Sequence, residues 1–290
     1  MRTQKLLFLG GSLLLVFSGC QKEYSNERYT QIFTDTLHID TLPANYPFAT
    51  GYCSEGSSSL GISIIDTANF VSFDTSSLPD SIQLDMPVPG NQGSQGSCTS
   101  WAVVYGAGNY YQHITSQKPY SDTGNLNPKF IYNQISKGKC GCTSFLDNLY
   151  LLKTQGACSL NALAYTPGEC SIQPDNWQRL LAENNKIKGW EKVDLHNLTL
   201  IKRAIEEKKP VLFAIQVDQG FNKLDAPFIW KQRNGELKDG HAMIISGYDD
   251  QRNAFRIMNS WGTLWGDKGF AWIDYQFFLQ NVMEGGYVVL

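Results

Sequence analysis

The stretch Asn91-Gln92-Gly93-Ser94-Gln95-Gly96-Ser97-Cys98 leads into Thr99-Ser100-Trp101-Ala102-Val103-Val104-Tyr105, and so turns from a glycine- and serine-rich loop into an apolar run. Trp101, Ala102, Val104, Tyr105 and Tyr110 are helix-compatible and apolar over more than one face, the pattern of a central core helix. Cys98 is then expected at a helix N-terminus. Unpaired backbone N–H groups and the helix dipole favour an anion there and lower a thiol pKa. The commoner fate of a single Cys is an inert buried thiol, so the position gains meaning only with a base beside it.

Downstream of this helix the pattern changes twice. A second helix is expected near Phe145–Gln155, with Leu146, Leu149, Tyr150 and Leu152 as its apolar stripe and Gly156 as a stop, and a third over about Leu198–Lys208. The remainder reads as strands: Val211–Val217, Ala242–Tyr248, Ala254–Met258, Gly269–Tyr275 and Tyr287–Leu290. The polar, turn-rich segment Asp249–Asn253 predicts a hairpin between the second and third of these. Helices first and antiparallel strands later give an α+β chain, not an alternating α/β one.

Four histidines are available to act as a base: His38, His113, His196 and His241. His113 lies fifteen residues along the same expected helix as Cys98, roughly 22 Å away at 1.5 Å per residue, which is too far. His38 falls in a spacer, and His196 in the mostly polar Asp194-Leu195-His196-Asn197. His241 follows Asp239-Gly240 and begins an apolar strand, so its ring can stand at a cleft mouth. Asn259, in Asn259-Ser260-Trp261-Gly262, ends the expected hairpin, where its side-chain carbonyl can meet the imidazole and fix the tautomer.

Together these segments, with Trp265-Gly266-Asp267-Lys268-Gly269-Phe270, resemble the papain-like cysteine peptidases, in particular their bacterial branch, over about residues 78–290 and with the motifs in family order. The resemblance implies a helical half and an antiparallel β-barrel-like half around an interdomain cleft. It implies Cys98 as nucleophile, His241 as general base and acid, Asn259 as the residue orienting His241, and Trp261 as the indole shielding that contact from water. Gln92 is implied as an oxyanion-hole donor alongside the Cys98 backbone N–H. The implied chemistry is peptide hydrolysis through an acyl-thioester, with no metal or organic cofactor.

Three departures from the family pattern stand out. Thr99 replaces the usual Trp after the nucleophile. Gln95 replaces a Cys that forms a bridge in many relatives, so Cys140 is free or paired differently. The glycine pair that hydrogen-bonds substrate backbone appears as Cys142-Thr143, which with Gly240 makes a candidate substrate wall; a bulkier wall there is expected to narrow or reshape the cleft. Rival readings are acyl transfer on the same scaffold, as in a transpeptidase or amidase, and a non-catalytic peptide-binding surface protein.

The N-terminus bears on location. Arg2 and Lys5 precede an apolar run from Leu6 to Phe17, too short to span a bilayer core that needs about 20 helical residues. It reads as an export signal over residues 1–19. The ending Val16-Phe17-Ser18-Gly19-Cys20 resembles the lipobox of bacterial lipoproteins, with Cys20 lipidated and anchored to a membrane of the cell envelope. Residues 20–77 are expected to be a spacer, with two short strands around Asp66-Thr67-Ala68, ahead of a peptidase domain over 78–290.

Seven cysteines suit an oxidising compartment: Cys20, Cys53, Cys98, Cys140, Cys142, Cys158 and Cys170. At least one disulfide is expected among Cys140, Cys142, Cys158 and Cys170, ahead of a zinc site, because no His lies within the cluster. Across 290 residues the net charge is −3, and loss of residues 1–19 takes two positive charges with it. No basic footprint for nucleic acid exists. The expected partners are a peptide or protein substrate and, through Cys20, a membrane; oligomeric state is not readable.

Overall fold

Cys98 opens the central helix. Its first turn, α1 (Cys98–Ser100), runs on through a wider π-helical stretch, Trp101–Gly108, into α2 (Asn109–Ser116). The computed structural model describes residues 46, 48–56, 58–60, 69–70 and 77–290. The expected signal segment, Cys20 and the strand pair around Asp66–Ala68 lie outside them. Every residue from Cys98 to Gln112 is buried, as a helix apolar on all sides requires. Gly106 allows the helix to lie against the sheet, because a Cβ there would stand 2.0 Å from Ile244 Cδ1.

The other helices form around it. In α3 (Pro128–Ser136), Asn127 caps the first turn by accepting from the Lys129 N–H, with Pro128 at the first position. In α4 (Phe145–Thr154), Ser144 accepts from the Asp147 N–H. A capping box formed by Asp175 and Gln178 starts α5 (Asn176–Ala182). The chain adds α6 (Leu198–Glu206) before the main strands and α7 (Tyr275–Asn281) between the last two. All three expected helices appear, the central one over Cys98–Ser116 and the other two as α4 and α6, whose ends agree within two residues.

The strands are β1 (Ser81–Gln83), β2 (Trp190–Lys192), β3 (Val211–Asp218), β4 (Ile229–Trp230), β5 (Leu237–Asp249), β6 (Ala254–Met258), β7 (Phe270–Asp274) and β8 (Val282–Val289). They form one eight-stranded sheet in the order β2-β8-β3-β5-β6-β7-β4, with β1 added on β5. The β5–β6 hairpin is present, with Ile244 opposite Met258. The architecture is α+β as expected, with one correction: β4 pairs parallel to β7, so the sheet is mixed and not wholly antiparallel.

Two strands begin earlier than their apolar runs suggest. β5 starts at Leu237, so His241 sits inside the strand, opposite Ile215 of β3, and not at its beginning. Lys238, Asp239 and Gly240 read as a turn by composition, but cross-strand pairing carries them. In β8 the Glu284-Gly285-Gly286 segment is absorbed as irregularities in the pairing with β3.

Two disulfides lie among the described residues. Cys140 pairs with Cys170, the bridge expected within the cluster. Cys142 pairs with Cys53, a partner from outside it, 89 residues away. Cys98 and Cys158 are free and buried.

Candidate active site

Backbone pairing assembles the site before any side chain is considered. The Gln92 N–H donates to the Ser260 carbonyl at 2.8 Å, and the Gly262 N–H to the Gly90 carbonyl at 2.9 Å. The loop before the central helix is thereby laced to the segment after β6. The β5–β6 register carries Asn259, one residue past Met258, to the side of His241.

His241 Nε2 lies 2.7 Å from Asn259 Oδ1. The Ser260 N–H donates to the same atom at 2.7 Å, which identifies it as the amide oxygen. An oxygen can only accept, so Nε2 carries the proton and Nδ1 keeps its lone pair. Among the described residues, His241 Nδ1 has no hydrogen-bond partner. The next residue on β5, Ala242, donates its N–H to Cys98 Sγ at 3.3 Å, so the thiol and the imidazole lie at adjoining positions of one strand.

Trp261 is fully buried, its ring 4.8 Å from that of His241, where it excludes water from the His241–Asn259 bond. It belongs to an aromatic cluster with Phe221 and Trp265. Gln92 is held at both ends of its amide. Its Oε1 accepts from Ser260 Oγ at 2.6 Å, and its Nε2 donates to the Gln95 carbonyl at 2.8 Å. The Ser260 hydroxyl therefore aims the amide, a contact the sequence reading did not anticipate.

The wall residues differ from expectation. Thr143 does not bulge into the cleft, since its side chain is buried and its Oγ1 accepts from Asn148 Nδ2 at 3.0 Å. Its backbone faces the cleft instead. Thr99, in place of the usual Trp, donates Oγ1 to the Thr143 carbonyl at 2.9 Å and ties the nucleophile's helix to this wall. Cys142 is exposed at the rim, in its bridge to Cys53.

Sequence reading did not foresee a segment over the site. Residues 48–56 lie across it. The Thr143 N–H donates to the Gly51 carbonyl at 3.0 Å, and the Tyr52 N–H to the Gly240 carbonyl at 3.1 Å. Trp261 Nε1 donates to the Ala49 carbonyl at 2.8 Å, and Gln92 Nε2 approaches the Thr50 carbonyl at 3.5 Å. Cys53, the one cysteine between Cys20 and Cys98, was the available signal.

The covering changes the electrostatics. Cys98 and His241 are both 0% exposed. Desolvation pushes the thiol up to about 12, against the lowering effect of the Ala242 and Thr99 hydrogen bonds. Desolvation also holds His241 down to about 4, opposed by its bond to Asn259. The expectation of a depressed thiol is therefore corrected for this closed arrangement. Both groups are neutral at pH 7, because burial removes the water that would stabilise a thiolate–imidazolium pair.

The structure thus brings together Cys98, His241, Asn259, Gln92 and Trp261, with Thr143 and Gly240 on facing walls and Cys142 at the rim. His113 stands apart, its Nδ1 3.0 Å from the Lys118 carbonyl and its ring stacked on Tyr120. An unprotonated imidazole nitrogen, a helix-terminal thiol and an aimed amide donor can together carry acyl transfer.

Residues 83–283 match the family described as Papain family cysteine protease. Cathepsin J of Rattus norvegicus is 31% identical over 194 residues, covering 62% of this chain and 54% of the relative. Cathepsin K of Mus musculus is 24% identical over 184 residues, with the same two coverages of 62% and 54%. The alignments span about half the length of these curated relatives. Among solved structures, xylellain, a cysteine protease from Xylella fastidiosa, superposes with a TM-score of 0.68 at 22% identity over 86% of this chain and 98% of that one. ProCathepsin B S9 from Trypanosoma congolense gives 0.62 at 12% identity, over 91% and 95%. These two structures share the fold.

Proposed function

Because the chain belongs to the papain family of cysteine proteases, we propose that it hydrolyses peptide bonds with Cys98 as nucleophile and His241 as general base and acid. The observation that carries this reading is the Nε2–H···Oδ1 bond from His241 to Asn259, which leaves Nδ1 unprotonated beside the strand position that touches Cys98 Sγ.

In this reading the thiol proton passes to His241 Nδ1, and the thiolate attacks the substrate carbonyl carbon. Negative charge then develops on the carbonyl oxygen, where Gln92 Nε2 and the Cys98 backbone N–H stabilise it. A donor of this kind is worth about 10²–10³ in rate. The imidazolium returns its proton to the departing amine, and an acyl-thioester on Cys98 remains. Water, deprotonated by the same imidazole, hydrolyses it. The backbone edges of Thr143 and Gly240, engaged here by residues 51–53, are the groups that would hold the substrate main chain.

The reading extends to location. The charged-then-apolar leader and the ending Ser18-Gly19-Cys20 support an exported bacterial lipoprotein, anchored in the cell envelope through Cys20.

The experiment is hydrolysis of a peptide library, in the presence of dithiothreitol, by the full chain and by Cys98→Ala. The expected result is loss of turnover by at least 10³-fold with an unchanged thermal unfolding midpoint. Comparable turnover by the variant would sink the assignment.

A further inference from the structure

We propose that the Cys53–Cys142 disulfide is a redox-cleaved catch: it holds residues 48–56 in the substrate cleft as an inhibitory strap, and exchange with a dithiol reductant opens the enzyme. The proposal rests on the reading of Cys98 as the nucleophile.

The strap takes the contacts that a substrate main chain would need. It is bound from both walls: the Thr143 N–H to Gly51 O at 3.0 Å, the Cys53 N–H to Thr143 O at 3.1 Å, and the Tyr52 N–H to Gly240 O at 3.1 Å. Tyr52 and Thr143 pair in parallel. The amide assigned to the oxyanion approaches a strap carbonyl, that of Thr50. Gly51 passes so close to the loop before Cys98 that a Cβ would stand 2.2 Å from the Gly96 carbonyl oxygen. With Cys98 and His241 wholly covered, no carbonyl carbon reaches Sγ until the strap leaves.

Side chains seat it further along. The Tyr52 ring packs on Phe145, and its hydroxyl donates to the Glu284 carboxylate. Glu55 accepts from the Phe145 and Leu146 N–H groups, each at 3.0 Å. The desolvated, neutral Cys98 and His241 agree with a resting state.

The disulfide converts this seating into a lock with a key. It joins the middle of the strap to the cleft rim, at the position where the family resemblance leads one to expect glycine. Cys142 is exposed and Cys53 half-buried, so a reductant's thiolate can reach the bond, whereas Cys170 of the other disulfide is 1% exposed. The reductant thiolate attacks Cys142 Sγ, the sulfur–sulfur bond breaks, and Cys53 leaves as a thiolate that takes up a proton. The reductant's second thiol then displaces Cys142, which also takes up a proton. Two electrons and two protons pass to the protein, and the reductant ends as an internal disulfide.

The test uses the full chain, air-oxidised, with and without dithiothreitol, alongside Cys53→Ser and Gly51→Val/Cys53→Ser. Iodoacetamide labelling of the Cys98 peptide reports opening, and cleavage of a fluorogenic peptide reports activity. Cys53→Ser loses the same covalent link as the reduced parent and is expected to label like it. A Cys53→Ser variant as closed as the oxidised parent would overturn the catch. The valine substitution also expels the strap sterically. Labelling and cleavage are expected to rise at least tenfold with dithiothreitol in the parent, and to be high without it in the double variant. Equal labelling of oxidised parent and double variant would overturn the catch. Faster labelling on opening with no peptide cleavage in any form supports the catch and removes the protease reading instead. Full cleavage by the oxidised parent does the reverse.

Discussion

Asn259 and Ser260 are neighbours with separate tasks, and the difference is measurable. Asn259 Oδ1 holds the tautomer of His241, so Asn259→Ala frees the ring to rotate and leaves Nε2–H buried without a partner. A buried unsatisfied group costs about 1–3 kcal/mol. The expected fall in kcat/KM of the opened enzyme is ~10–100-fold, smaller than for His241→Ala. Ser260→Ala removes the 2.6 Å bond that aims the Gln92 amide. With one ordinary hydrogen bond worth about 0.5–1.5 kcal/mol, kcat is expected to drop ~2–10-fold with KM nearly unchanged. A rise in KM at constant kcat would instead place Ser260 in substrate binding. The residue types at both positions were legible in the sequence, but the Ser260–Gln92 contact was not, since 168 positions separate the two.

At the scale of elements, the strap's seat on α4 should be sensitive to pH. Glu55 faces the N-terminal N–H groups of α4, Glu284 of β8 and Asp147 of α4. Desolvation first, then the Glu284 and Asp147 charges, push its carboxyl from 4.5 up to about 7, although the helix N–H bonds act the other way. A group raised in the docked state binds a proton on docking, so its contribution is fully present below the free value and is lost as pH rises through about 7. In Cys53→Ser, where no covalent tie masks the effect, Cys98 labelling relative to Gly51→Val/Cys53→Ser is expected to increase from pH 5 to pH 8. Glu55→Gln should flatten that ratio; an unchanged slope would remove Glu55 from the seating. Helices with a single apolar face, α4 and α6, were legible from periodicity. The lengths of β5 and β8 were not, because Lys238-Asp239-Gly240 and Glu284-Gly285-Gly286 take strand conformation only through their partners.

For the whole molecule, the lipobox reading predicts that Cys20→Ala moves the protein from the membrane fraction to the soluble one with peptidase activity retained. Retention of the variant in washed membranes would point to another anchor. Composition, periodicity and four short motifs were enough to determine an α+β chain with a helix-terminal thiol, a strand-borne imidazole and a nearby amide. Each of these is a local property: a cap, an apolar stripe, a turn, or a residue type that only certain chemistry requires. Tertiary structure decided what the cleft contains. Cys53 meets Cys142 across 89 residues, only a glycine fits at position 51 against the Gly96 backbone, and Thr143 turns its side chain inward and gives its backbone edge to the strap. It also decided the charge state of the site, since burial under the strap neutralises a thiol and an imidazole that local chemistry alone would ionise. Long-range pairing and desolvation depend on which distant segments share a surface, and no local pattern of residues records that.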